Sequence, residues 1–143
     1  MSGYVLKISR HGDIRREAFN PADSLKQLQR AVGGFIERVE IPAFTRERLD
    51  CDCWVNEEGL FDPDPVLNIA VTEMAGRGIV GDAVLAMHDG EGRTLGIPEP
   101  LARVLAKYAK SAFAVGVVRR MRFAPMARKE NEDDAKRKGK GDA

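Results

Sequence analysis

Soft metal ligands and aromatic side chains are scarce in this chain. Its 143 residues include two Cys and two His, and the aromatic share is 6%. Cys51 and Cys53 fall on one face of a predicted strand, which places them poorly for a disulfide. They also lack the second ligand pair of a structural zinc site, and with His11 and His88 they exhaust the soft ligands. No metal and no cofactor are expected, and both thiols read as small buried hydrophobes. There is no Gly-x-Ser-x-Gly elbow and no paired-His metalloprotease helix. His11 and His88 each stand beside Gly and Asp in a predicted loop, where a lone imidazole is ordinarily solvated. Gly76-Arg77-Gly78-Ile79-Val80-Gly81 spells a G-x-G-x-x-G run, but it precedes a strand. Dinucleotide binding needs such glycines to open a helix.

No apolar run approaches the roughly 20 residues that cross a bilayer. Met1 to Lys7 lacks the basic and apolar regions of a signal peptide. The expectation is a cytoplasmic protein with no membrane partner, in a compartment where thiols stay reduced.

What the chain does have is apolar residue enough for one core. A hydrophobic share of 43% and a charged share of 31% suit a single globular domain with a polar surface. The formal net charge of +1 hides an asymmetry. From Val118 onward there are nine Lys or Arg against five Asp or Glu, which leaves the earlier part at a net −3. A body of that sign offers nucleic acid no electrostatic reason to bind it.

Hydropathy patterning gives the elements. Tyr4 to Ile8 predicts a strand with Leu6 and Ile8 on one face, His11-Gly12-Asp13 a turn, and Ile14 to Phe19 the returning partner. Asp23 or Ser24 starts a helix whose apolar stripe is Leu25, Leu28, Ala31 and Val32, with Lys26, Gln27, Gln29 and Arg30 outside. Gly33 stops it by taking the left-handed conformation. Phe35 to Ile41 predicts a strand that sets Glu37 on a face with Phe35, Val39 and Ile41. Pro42 ends that strand. Leu49 to Val55 predicts the next, with Cys51 and Cys53 inward and Asp50, Asp52 and Trp54 on the opposite face.

After a turn at Asn56 to Gly59, Leu60-Phe61 predicts a brief strand. Pro63 and Pro65 prepare a short helix over Leu67 to Ala75, closed by Gly76 or Gly78. Ile79 to Met87 predicts the strongest strand, with a bulge or a close backbone approach at Gly81-Asp82. His88 to Gly96 predicts an exposed loop or hairpin tip. Pro98-Glu99-Pro100 opens the longest helix, with a buried stripe of Leu101, Val104, Leu105, Tyr108 and Ala112. Phe113 to Val118 fits either more helix or an edge strand. The whole reads as one α+β domain over residues 3–118, a mainly antiparallel sheet with two or three helices. A basic tail over residues 119–143 is expected to be disordered.

Four short runs follow one another between Leu25 and Met87: Val32-Gly33-Gly34-Phe35-Ile36-Glu37, Val55-Asn56-Glu57-Glu58-Gly59, Asn68 with Thr72, and Ile79-Val80-Gly81-Asp82. Their succession resembles a small family of phage, plasmid and mobile-element proteins known only as a domain of unknown function. Val71 stands where that family's pattern has an alanine. The resemblance implies a small accessory protein of such an element, and it carries over no catalytic residue.

Three functional readings arise from the residues. The first is non-enzymatic binding of a host or phage protein, with Trp54 as an exposed anchor, unless a helix covers its face. The second is nucleic-acid binding through Arg119, Arg120, Arg122, Lys136, Arg137 and Lys138, with a salt-dependent affinity. The same tracts suit a solubilising tail, because Glu130 to Asp134 interrupts them with acid. The third is a small-molecule binder or enzyme in which Glu37 shares a pocket with Asn68 and Thr72, four apart on one helix. A carboxylate on an apolar face must be paired, hydrogen-bonded or protonated. An ion pair of Glu37 with Arg77 at the sheet margin meets the same demand. The third reading requires all three side chains to converge on one solvent-reachable pocket.

Overall fold

The computed structural model describes residues 2–141, with side chains through Arg122. A hairpin of β1 (Tyr4–Ile8) and β2 (Ile14–Ala18) forms one edge of the sheet. A 3-10 turn at Pro21–Asp23 leads into α1 (Ser24–Val32), and β3 (Ile36–Val39) follows. Then come α2 (Pro42–Arg46), β4 (Cys51–Asn56), a second 3-10 turn at Gly59–Phe61, α3 (Ile69–Ala75), β5 (Ala83–His88), β6 (Thr94–Leu95) and α4 (Glu99–Gly141). The strand order is β2-β1-β5-β4-β3, with β6 against the end of β5. Every pairing is antiparallel. Leu85 of β5 stands opposite both Leu6 of β1 and Cys53 of β4, which makes β5 the centre.

Side-chain alternation divides the sheet into two apolar faces. Leu6, Ile8, Val39, Cys53, Val55 and Leu85 pack with Val71 and Met74 of α3 and with Ala102, Leu105 and Ala109 of α4. On the reverse, Val5, Val84 and Ala86 meet Leu28, Ala31 and Val32 of α1, with Ile36 and Trp54 partly buried beside them. The chain therefore passes from the β2 edge to the β3 edge by way of α1. The α+β class and the mainly antiparallel sheet are those the residue pattern predicts.

Several expectations need correction. The strand expected to reach Ile41 stops at Val39, because Pro42 sits at the first position of α2, where its fixed φ and missing amide suit a helix start. Glu37, expected among apolar neighbours, is exposed: β3 is an edge strand, and the buried part of its face is Val39. Leu60-Phe61 is a 3-10 turn. Gln27, read as an outer residue, is 7% exposed. Its side chain donates to the Ala18 carbonyl and accepts from the Asn20 amide, both at 2.9 Å. Val104 is 60% exposed while Ala102, Leu105, Ala109 and Ala112 are buried, so the helix stripe is rotated from the expected one. Phe113 to Val118 is helical, and α4 continues unbroken through Arg122. Of the tail expected to be unstructured over residues 119–143, residues 119–122 are helical, while Lys136, Arg137 and Lys138 lie outside the residues whose side chains are described.

Candidate functional site

The first two family-like runs meet at the β3 end of the sheet. The Asn56 side chain accepts from the Glu58 amide at 2.8 Å and donates to the Val32 carbonyl at 3.3 Å. That single amide joins the end of α1 to the turn after β4. Gly34 lies against it: a Cβ there would come within 2.9 Å of Asn56 Nδ2. The Glu57 amide adds a bond of 2.8 Å to the Phe35 carbonyl. These contacts hold the Gly59–Phe61 turn out from the sheet.

The result is an apolar lip. Phe35 is 67% exposed, Leu60 78% and Phe61 83%. Gly33, Gly34, Phe35, Asn56, Phe61 and Pro63 line a hollow of about 460 Å³ between the turn and the end of α1. On the other side of the turn, Leu60 borders a small hollow of about 80 Å³ that also contains Glu37 and Arg77. Arg10 reaches the loop at Asp62, with Nη1 3.8 Å from the carboxylate. The lip is hidden in the sequence because strand patterning runs through both Phe35 and Leu60-Phe61. Their signal was compositional: two large hydrophobes within a Pro- and acid-rich loop.

The third and fourth runs meet elsewhere, and their side chains are spent on the fold. Asn68, fully buried, accepts from the Val71 amide at 3.1 Å as the cap of α3. Its Nδ2 donates to the Ile8 carbonyl at 3.0 Å and the Gly81 carbonyl at 2.9 Å. Thr72 Oγ1 accepts from the Ile79 amide at 3.0 Å. Glu37 is exposed on β3, so Glu37, Asn68 and Thr72 do not converge on a pocket. Trp54 is half-buried in the cluster under α1, with its Nε1 buried and without a partner; a helix does cover that face. Arg119 and Arg120 lie 3.6 and 4.0 Å from Glu73 of α3, and Arg122 is exposed.

One ionic cluster was not foreseen. Asp52, 8% exposed, has an oxygen 2.7 Å from His88 Nδ1, while Arg38 stands 3.7 Å from its other oxygen. His88 Nε2 lies 3.8 Å from Asp50. His88 is thus hydrogen-bonded to Asp52 at the end of β5, not a solvated loop residue. Cys51 and Cys53 are both buried beside this cluster, and burial, followed by the charge of Asp52, pushes each thiol up to about 12. At neutral pH neither is a thiolate, the form that attacks or ligates. Among the described residues, no three His, Cys, Asp or Glu gather as a metal site.

The fold is a two-faced antiparallel sheet with helices on both sides, carrying an apolar lip at one edge. The family model of a domain of unknown function, DUF3846, matches residues 1–111, and the chain belongs to that family. No curated protein and no solved structure matches it.

Proposed function

We propose that this chain is a non-enzymatic accessory protein of a phage or similar mobile element, acting in the cytoplasm by binding a host or phage protein. The contact surface is the lip of Phe35, Leu60 and Phe61. The observation that carries this reading is the exposure of three large apolar side chains, two on one turn and one just before β3, with Phe35 and Phe61 lining one hollow. Each leaves apolar surface in water that a partner would bury, at about 25 cal/mol per Å², and contiguous patches of this kind mark interaction sites. Trp54, held under α1, is a packing residue in this account. The reading is favoured over nucleic-acid binding because Arg119 and Arg120 already face Glu73.

The test is affinity capture on the intact chain, compared with a Phe35→Ala/Phe61→Ala variant. Truncating two central aromatic anchors should weaken a bound partner at least tenfold. Exposed substitutions of this kind should shift folding stability by no more than about 0.5 kcal/mol. A protein retained equally by both forms would place the contact elsewhere.

A further inference from the structure

We infer that the segment docking at this lip is a basic peptide with an apolar anchor, a proposal that rests on the docking reading above. From Leu49 to Gly76 the chain has seven Asp or Glu and no Lys or Arg. Four of these acids, Glu57, Glu58, Asp62 and Asp64, are exposed and bracket Leu60-Phe61. Among the described residues, Asp62 has a base within reach, Arg10 at 3.8 Å. The two charged residues lining the larger hollow are Glu58 and Asp62, both acidic. Arg77 faces the smaller hollow on the Leu60 side, together with Glu37.

An apolar side chain entering between Phe35 and Phe61 therefore arrives beside the carboxylates of Glu58 and Asp62, with Glu57 and Asp64 next to them in the chain. Lysine or arginine on either side of that anchor gains attraction within a screening length of about 8–10 Å. Acidic flanks meet like charge, which rejects the wrong partner more strongly than it rewards the right one. The apolar hollow supplies the anchor, and the acid rim supplies the selection.

A random peptide display library panned on the intact chain, with Phe35→Ala/Phe61→Ala for counter-selection, tests this. The expected selection is peptides with Lys or Arg around a large apolar residue. Binding of a selected peptide should fall about tenfold in Glu57→Gln/Glu58→Gln/Asp64→Asn, and its salt dependence should flatten. Selection of neutral or acidic apolar peptides, or affinity unmoved by those three neutralisations, overturns the basic partner and leaves the docking lip standing. Failure to select any peptide that distinguishes the wild type from the Phe35/Phe61 variant overturns both.

Discussion

Asp82 stands between Gly81 and β5 with its side chain 17% exposed. It accepts from the Arg10 amide at 2.9 Å and from the Arg10 guanidinium at 3.2 Å, and Lys7 lies 3.7 Å away. Burial alone would raise its carboxyl. The Arg10 bonds and the two cations outweigh that and hold it below its ordinary value of 3.8. A folded-state pKa below the unfolded one means stability that is fully present above about pH 4 and lost as pH falls through the folded value. Asp82→Asn should therefore cost about 1.5 kcal/mol at pH 7, the low end of the range for a hydrogen bond to a charged group, because the Asn oxygen can still accept. It should also flatten the acid limb of a stability-against-pH curve measured by urea unfolding. An unchanged acid limb would mean that Arg10 and Lys7 find other partners.

At the scale of elements, α3 and α4 meet at a glycine. Gly116 is buried, and a Cβ there would run into Ile69 Cγ2 and come within 2.9 Å of Glu73 Cγ. Alanine is the better helix former by about 1 kcal/mol, but Ile69 is branched next to its backbone and cannot swing aside. Overpacking of this kind costs about 1–3 kcal/mol. Gly116→Ala should thus lower the melting temperature by a few degrees, whereas the same change at a solvated helical glycine would raise it. The sequence made α1 legible, because Leu28, Ala31, Val32 and Gly33 state most of its stripe and its end, although Leu25, expected in that stripe, is 55% exposed and Gln27 is buried instead. It made the β1–β2 hairpin legible through the His11-Gly12-Asp13 turn between two short strand-like runs, and β4 through its unbroken run from Cys51 to Val55, although burial does not alternate along these strands. It hid α2, whose five residues offer no period, and the rotation of the α4 stripe, where small Ala102 and Ala109 are buried and Val104 is not. Glu37 misled because strand alternation names a face without saying where along it the core ends. Asn68 and Thr72 misled because a spacing of four names a shared helix face without naming partners: Asn68 meets the Val71 amide and the Ile8 and Gly81 carbonyls, and Thr72 meets the Ile79 amide.

Taken as a whole, the molecule has a sheet closed over by helices on both faces, so its interior should open in one step. Cys53 is 0% exposed and Cys51 7%, on a strand flanked by β3 and β5. Both thiols are held up to about 12 by burial and then by Asp52, against about 8.5 for a free cysteine. A disulfide reagent at pH 8 should therefore meet almost no thiolate in the folded chain and two reactive thiols in the unfolded one. If the domain is one cooperative unit, labelling of both thiols in a urea series should share its midpoint with loss of the far-ultraviolet dichroism. The edge argues the other way for Cys51, which lies two residues nearer the end of β4 and beside the small hollow at His88. Stoichiometric labelling of one thiol in native buffer would show the β4 end opening on its own, separately from the lip at its opposite end. Docking at Phe35 and Phe61 would then leave Cys51 reactivity unchanged, while a rigid single unit would slow it on binding.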